Sequence, residues 1–371
     1  MANSIVGLDI GAGGIRAVEV VPGKRGVKLV RADAIELPSG AVERGEVVEP
    51  QVVTGALKAL WKRGRFRSRQ VILGIGNDRV LARELTVAHA PLPLIREALP
   101  FQVQDMLPMP VSEAILDFYP VQEAEHGQVQ GLLVAAVKEG VLATVDAVRR
   151  AKLEPVSVDF IPFALSRALV PPTPETTAVV DVGAHTTSVV IVAGGVPRFV
   201  RIIPAGGDAV THTLHARFGL ERANAEATKR DLGLGEETVR RPLVAGGEAA
   251  QRALGLAPAA EPDGGVVEGA DPHRVQLIEA IREETGELVT GVRNTLGYFA
   301  GLRPDLPVQR VLLTGAGTAL RGFPAALREV LRVPIEWADP YTALSPKDRE
   351  RDALGGPRAS VALGLAMRSA A

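Results

Sequence analysis

Cysteine is absent from the 371-residue chain, which excludes disulfides, thiolate nucleophiles and cysteine-based zinc or iron–sulfur sites. Aromatic residues make up only 4% of the chain, and no apolar run approaches the roughly 20 residues that span a bilayer. An excess of one charge is also missing, because 42 basic residues stand against 43 acidic ones. We therefore expect no global electrostatic attraction to nucleic acid or anionic lipid, and any bound anion must be held by local groups.

The composition is otherwise that of a folded globular protein. Apolar residues make up 46% of the chain and charged residues 23%, and the length predicts two or three domains. The N-terminus carries Asp9 inside its first apolar stretch and shows no basic lead followed by a long apolar core. We therefore predict no signal peptide and a cytoplasmic protein.

A glycine-rich turn follows the first predicted strand. Residues 1–20 predict a β-hairpin, and residues 9–14 at its tip read Asp-Ile-Gly-Ala-Gly-Gly. Glycine lets backbone N–H groups come close to a phosphate, and an aspartate at the strand end can hold a hydrated Mg²⁺. Alone, this pattern is equally typical of a plain hairpin. It recurs, however, from Asp181 to Ala184, 172 residues after Asp9, which predicts two phosphate-binding turns that face one another across a cleft.

A third glycine turn lies near the C-terminus. The sequence RVLLTGAGTALRGF at residues 310–323 predicts a strand, a turn and a helix. Gly315 and Gly317 would let a flat base or a ribose lie against the backbone. An ordinary turn between a strand and a helix is the alternative interpretation.

The order of these parts resembles the ATPase superfamily of actin, heat-shock chaperones and sugar kinases. Within it, the stretches GLDIGAGGIRAVEV, AVVDVGAHTTSVVIV and VALGLAMR look like the PilM family of type IV pilus assembly and, more distantly, the FtsA family. The resemblance implies an α/β, actin-like (ribonuclease H-like) two-lobe fold with an inserted β-α-β-β-α-β subdomain. It implies subdomain 1A at residues 1–84, 157–176 and 359–371, 1C at 85–156, 2A at 177–218 and 303–358, and 2B at 219–302 with a loose insertion near 233–272.

The resemblance also implies a site for ATP and Mg²⁺. Asp9 and Asp181 would hold the metal through water, and Arg16 takes the position usually held by a phosphate-binding lysine. An arginine there keeps the charge but presents a planar fork. The other implied nucleotide-binding residues are Gly11, Gly13, Gly183, Thr186, Thr187, Glu226, Lys229, Gly315, Gly317 and Thr318. Glu226 and Lys229 fit a surface salt pair equally well, because they are spaced i to i+3 on a predicted helix.

The water-orienting group of an ATPase is not evident. Family members commonly have an acidic residue before the proline of the connecting helix, and here that position is Ile161, before Pro162. Asp159, two residues earlier, is a weak catalytic candidate. Because phosphoryl transfer depends on positioning and charge stabilisation, we expect ATP binding with at most slow hydrolysis.

The resemblance implies a cytoplasmic nucleotide-binding scaffold that docks the N-terminal cytoplasmic peptide of a PilN-like inner-membrane protein at the sheet edge of the inserted subdomain. The chain would then lie at the inner face of the membrane through this partner, without inserting into it. Pilus motor ATPases are further expected partners, self-association stays open, and nucleic acid is not expected. The basic run Lys62 to Arg69 is interpreted as a solvated loop of mixed surface charge.

Two alternatives remain open at this point. An FtsA-like polymerising division protein would carry an amphipathic membrane helix after the last core helix, and this sequence stops at Ala371. A small-molecule kinase of the same superfamily would need a catalytic aspartate in a sugar-binding cleft.

Overall fold

The computed structural model describes residues 4–23, 26–235, 271–341, 344, 354 and 356–368, so nearly all of the loose insertion predicted near 233–272 lies outside the described residues. Its strands are β1 Ile5–Gly11, β2 Gly14–Gly23, β3 Gly26–Ile35, β4 Val42–Glu43, β5 Glu46–Val47, β6 Gln70–Ile75, β7 Val80–Ala88, β8 Ala114–Ala124, β9 Gln128–Val137, β10 Glu154–Phe160, β11 Thr176–Val182, β12 Thr187–Ala193, β13 Val196–Ile203, β14 Arg310–Thr314 and β15 Ile335–Trp337. Its α-helices are α1 Pro50–Gly64, α2 Leu92–Gln102, α3 Lys138–Arg150, α4 Ile161–Leu169, α5 Gly207–Phe218, α6 Arg222–Leu232, α7 Pro272–Leu302, α8 Phe323–Leu331 and α9 Ser360–Met367.

The first lobe is built on a five-stranded sheet in the order β10-β6-β1-β2-β3. Strands β1, β2 and β3 form an antiparallel meander, whereas β6 and β10 run parallel to β1. Parallel strands need crossover connections, and α1 and α3 supply them. Leu57 of α1 and Val148 of α3 are fully buried in one core with Leu8 and Leu73 of the sheet.

The second lobe repeats this plan with the order β13-β12-β11-β14-β15. Strands β11, β12 and β13 form the antiparallel meander, and β14 runs parallel to β11. The long helix α7 covers this sheet with α5, α6 and α8, and it buries Ile281, Val289 and Phe299. The prediction from sequence did not include β13, although the segment has strand character.

A three-stranded antiparallel sheet, in the order β7-β9-β8, follows β6 in the chain. Helix α2 packs on it, with Leu99 and Phe118 in the shared core. The elements occur in the predicted β-α-β-β-α-β order, but they do not all belong to one subdomain with the predicted range 85–156. Strand β7 begins at Val80, whereas β10 joins the first lobe and α3 packs on α1. The pairing partner of β10 is distant in sequence, so local pattern could not reveal it.

The C-terminal helix α9 packs tightly on the first lobe. A Cβ on Gly364 would lie 2.0 Å from the carbonyl oxygen of Ala164, and one on Gly7 would lie 1.8 Å from that of Ala362. Only glycine permits both approaches, which hold α9 against α4 and β1. None of the helices in the described ranges combines the length and the apolar character that crossing a bilayer requires.

Candidate functional site

The first glycine turn joins β1 to β2. The strands pair as far as Gly11 and Gly14, which leaves Ala12 and Gly13 as the turn. Gly14 has φ +145°, and a Cβ there would lie 2.5 Å from the carbonyl oxygen of Ile35, so the turn itself requires this glycine. A Cβ on Gly13 would meet nothing within 4 Å, and one on Gly11 only atoms at 3.9 Å. The backbone at these two positions is therefore open to an approaching group.

Asp9 and Arg16 face each other across this hairpin. They are cross-strand partners, and Arg16 Nη1 donates to Asp9 Oδ2 at 3.2 Å. Both side chains are largely buried, with 13% of Asp9 and 24% of Arg16 exposed. Arg16 therefore supplies a cation beside the carboxylate at the tip of the first lobe.

The second turn carries the matching aspartate. Strand β11 ends at Val182 and β12 begins at Thr187. The turn between them is closed by Gly183 N–H, which donates to the carbonyl oxygen of Thr186 at 2.9 Å. Asp181 precedes this turn, as Asp9 precedes the first.

The two aspartates interact across the lobes. Burial, reinforced by repulsion from Asp9, raises the pKa of Asp181 to about 7, and the charge of Arg16 opposes this rise. The two carboxylates share one arginine, so one negative charge is left over, which fits Mg²⁺ with its preference for oxygen ligands. Among the described residues no group of three or more acidic or histidine side chains could hold a metal, so water or a bound ligand would have to complete its coordination.

A loop that the sequence analysis did not assign supports the second turn. Gly207 N–H donates to the carbonyl oxygen of Gly183 at 2.9 Å, and Asp208 N–H donates to that of Ala184 at 2.8 Å. A Cβ on Gly206 would lie 2.5 Å from the oxygen of Ala184, so the loop needs glycine to come this close. The signal was present as Gly-Gly-Asp directly before a helical pattern.

Asp208 fixes the same turn through its side chain. Its carboxylate lies 3.5 Å from His185 Nε2 and accepts from Arg222 Nη2 at 2.6 Å. The hydrogen bond to His185 is the main cause that lowers its pKa to about 2; Arg222 adds to it and burial opposes it. His185 is therefore a side chain that holds the turn in place.

Two hydroxyl groups implied as nucleotide donors point into the protein. Thr187 is fully buried, and its Oγ1 donates to the carbonyl oxygen of Ala205 at 2.8 Å. Thr318 is 1% exposed, and its Oγ1 donates to that of Gly315 at 2.7 Å. A hydroxyl has one proton to donate, so the structure does not bring these donors to the cleft and gives each the task of holding a loop.

The third glycine turn packs on the end of β11. A Cβ on Gly315, which has φ +88°, would lie 2.4 Å from the carbonyl oxygen of Val182 and 2.6 Å from Asp181 Oδ1. A Cβ on Gly317 would lie 2.4 Å from Val182 Cγ1. Contact with the second turn therefore gives these glycines a structural reason, and their place beside a base or ribose stays a prediction.

Glu226 and Lys229 form an ion pair that belongs to the same region. Lys229 Nζ donates to Glu226 Oε2 at 2.5 Å, to Thr211 Oγ1 at 2.9 Å and to the carbonyl oxygen of Gly207 at 3.0 Å. Burial raises the pKa of Glu226, but hydrogen bonds from Lys229 and Thr211 outweigh it and leave the pKa below its usual value. A Cβ on Gly207 would lie 3.4 Å from Gly317 Cα, so the pair adjoins the third glycine turn.

Asp159, the catalytic candidate from sequence, is buried and paired with arginines. It is 7% exposed, its two carboxylate oxygens pair with Arg167 and with Arg368 Nη1, the latter at 3.3 Å, and it accepts from Phe160 N–H at 2.9 Å. These partners give Asp159 a structural role in the described chain, and its role in orienting a water molecule stays a prediction. Ile161 packs on the backbone of Gly74 and Gly76.

Known proteins that are similar to this chain share its two-lobe architecture. The family model described as type IV pilus assembly protein PilM matches residues 7–245, and the model of cell division protein FtsA matches residues 178–364. A solved PilM-PilN type IV pilus biogenesis complex is similar with TM-score 0.76 and 30% identity, over 99% of this chain and 98% of that one. MreB5 of Spiroplasma citri bound to ADP is similar with TM-score 0.51 and 11% identity, over 98% and 94% of the two chains, which shows the fold alone.

Curated relatives add a more distant similarity. Cell division protein FtsA of Escherichia coli K12 is 28% identical over 194 residues, which cover 50% of this chain and 42% of the relative. FtsA of Bacillus subtilis 168 is 22% identical over 340 residues, which cover 82% and 72%. The match spans less than half the length of the first relative. Together with the two repeated lobes, these similarities confirm the expected actin-like fold.

Proposed function

The chain belongs to the PilM family of type IV pilus assembly proteins, and from this membership we propose that it is a scaffold that binds ATP·Mg²⁺ between its two lobes. The observation that carries the proposal is the pair of copied hairpins whose aspartates, Asp9 and Asp181, interact across the cleft. The open backbone at Gly11 and Gly13 would face the phosphates, and the two carboxylates would hold the metal.

Bound Mg²⁺ would neutralise charge on the phosphates and on the two aspartates. Arg16 adds a fixed positive charge on the first-lobe side. The loop of Gly206 and Gly207 and the ion pair of Glu226 and Lys229 would border the adenosine side, because they contact the second and third glycine turns. Hydrolysis would be slow, because Asp159 is paired with two arginines and Ile161 stands where family members commonly have an acidic residue.

Calorimetric titration with ATP·Mg²⁺ tests this site. We expect one nucleotide per chain and a clear loss of affinity in both Asp9→Ala and Asp181→Ala. Asp146→Ala is a matched control, because it removes an exposed carboxylate on α3, outside the cleft. Unaltered affinity in both site variants would refute the site, and turnover comparable to an efficient ATPase would refute the scaffold.

We further propose that an edge strand of the inserted sheet, β7 or β8, receives the N-terminal cytoplasmic peptide of a PilN-like inner-membrane protein. Edge strands present unpaired backbone groups, which can add an extended peptide as a further strand. Titration with that peptide should show binding, and a scrambled peptide of equal charge should show none. Equal binding of both peptides would contradict sequence-specific docking. This partner would place the chain at the inner face of the membrane.

A polymerising protein of the FtsA type is the second candidate, because the FtsA family model matches residues 178–364. Sedimentation at increasing protein concentration with ATP·Mg²⁺ separates the two. Long polymers that need nucleotide would favour the FtsA-like function, whereas a discrete species that binds the peptide favours the pilus scaffold.

A further inference from the structure

Two basic loops lie side by side at one end of the first lobe. One connects α1 to β6 and the other connects α3 to β10, and these strands are parallel neighbours that pair Gln70 with Glu154. Arg69 Nη1 donates to the carbonyl oxygen of Lys152 at 2.9 Å, and Glu154 N–H donates to that of Arg69 at 2.8 Å. The loops therefore form one surface. We call it the basic face, and its exposed residues are Lys62, Arg63, Arg65, Arg67, Arg69, Arg149, Arg150 and Lys152.

Most of this charge is not neutralised by the fold. Arg63 pairs with Asp33, and Arg150 pairs with Asp146. Within the described ranges, no ion pair is formed by the side chains of Lys62, Arg65, Arg67, Arg149 and Lys152. A chain with a net charge of −1 thus concentrates positive charge at one end of one lobe.

Helix ends explain only part of the basic face. Lys62 and Arg63 lie in the last turn of α1, and Arg149 and Arg150 in that of α3, where positive charge favours the helix dipole. Arg65 is the C-cap of α1, whereas Arg67 and Lys152 lie beyond the helix caps, so the dipoles do not account for these two. Their exposed charges suit an external anionic surface.

The aromatic residues beside the basic face are unsuited to nucleic acid. Trp61 and Phe66 pack on each other with ring centroids 5.0 Å apart, Trp61 Nε1 donates to the carbonyl oxygen of Ser68 at 2.9 Å, and Phe66 is buried. Neither ring is free for a base to stack on. Clusters of four to eight lysine and arginine residues are, in contrast, typical of surfaces that adsorb to anionic lipid.

We propose that the basic face adsorbs to the anionic headgroups of a membrane surface. The preference for a membrane over nucleic acid rests on the proposed function, which places the chain beside an inner-membrane partner. Adsorption would orient the lobe against the bilayer, while the partner peptide supplies specificity. The near-zero net charge of the whole chain predicted no attraction to anionic lipid, but it does not describe this local concentration of basic residues.

Membrane contact would leave the nucleotide cleft free. Strand β1 runs parallel to β6, with Val6 beside Val71 and Leu8 beside Leu73. Asp9 at the end of β1 therefore lies at the opposite end of the sheet from Arg69, which precedes β6. Substitutions in the basic face should not change affinity for ATP·Mg²⁺.

Vesicle co-sedimentation of the full chain tests the proposal. The site variant is Lys62→Glu/Arg65→Glu/Arg67→Glu. The matched control is Arg201→Glu/Arg274→Glu/Arg332→Glu, which changes the net charge equally at exposed positions of the second lobe. Vesicles of phosphatidylcholine with and without about 30% phosphatidylglycerol are compared at about 50 mM and about 500 mM salt. A short duplex DNA and a short RNA are titrated in parallel.

We expect wild type and the control to bind the anionic vesicles at low salt, with a partition coefficient ~100-fold lower in the site variant and binding lost at high salt. Equal binding to neutral vesicles, or unchanged binding of the site variant, would overturn the proposal. Nucleic-acid binding that depends on the same residues, without vesicle binding, would overturn it in favour of a nucleic-acid surface. Calorimetry with ATP·Mg²⁺ on the same samples separates failure of the basic face from failure of the proposed function.

Discussion

Replacing Asp181 by asparagine removes a carboxyl group that the fold holds in an unfavourable environment. Burial and Asp9 raise its pKa from 3.8 to about 7, so between these values the folded protein binds more protons than the unfolded chain. The free energy of unfolding therefore falls as the pH rises through this window. Integrated from pH 5 to pH 8, the loss from this group is about 2–3 kcal/mol.

Urea unfolding of wild type and Asp181→Asn, without nucleotide or divalent cation, measures this loss directly. The difference between the two proteins cancels the titration of other groups, and the variant should gain about 2–3 kcal/mol relative to wild type between pH 5 and pH 8. Asp146→Asn, at an exposed ion pair, should follow wild type over the same range. Parallel curves for wild type and Asp181→Asn would refute the claim that Asp181 lies in a desolvated pair with Asp9.

Four further substitutions separate structural from functional roles. Gly13→Ala should change the unfolding free energy by less than ~0.5 kcal/mol in urea unfolding, yet weaken ATP·Mg²⁺ binding in calorimetry. Gly14→Ala should destabilise the fold in urea unfolding. Full nucleotide affinity in Gly13→Ala would contradict close approach of a phosphate. Asp159→Asn should lower the free energy of unfolding by about 2–4 kcal/mol in urea and leave ATP turnover per folded molecule unchanged. Lost turnover at full stability would instead support Asp159 as a catalytic residue. Gly364→Ala should cost about 3 kcal/mol or more, because its Cβ would overlap the carbonyl of Ala164, and a wild-type melting temperature would show that α9 can shift.

The repeated hairpins were predictable from sequence because their signal is local. Asp9 and Asp181 each end a strand before a glycine-rich turn, and the two turns occupy equivalent places in two sheets of the same plan. In the folded protein the charge of Asp9 acts on Asp181, as expected if the two turns face one another.

The roles of the threonines and of the third glycine turn were not predictable in the same way. Thr187 finds its acceptor at Ala205, on a loop beyond the next strand, whereas Thr318 donates to Gly315 within its own turn. The glycine at 315 is needed because Val182 lies against it, a neighbour more than a hundred positions away in the chain. One of the two arginines of Asp159 escaped prediction for the same reason, since Arg368 comes from the C-terminal end. Contacts between residues distant in sequence were therefore the hardest to predict from local pattern.

The central claim is that one nucleotide is held by matching aspartates from both lobes, and the Mg²⁺ dependence of ATP affinity tests it most directly. Calorimetric titrations of wild type, Asp9→Ala and Asp181→Ala are compared with Mg²⁺ and with EDTA. We predict that Mg²⁺ strengthens ATP binding by wild type and that each variant loses most of this gain. An equal Mg²⁺ effect in all three proteins, or a loss confined to the variant of one lobe, would contradict a site shared between the lobes.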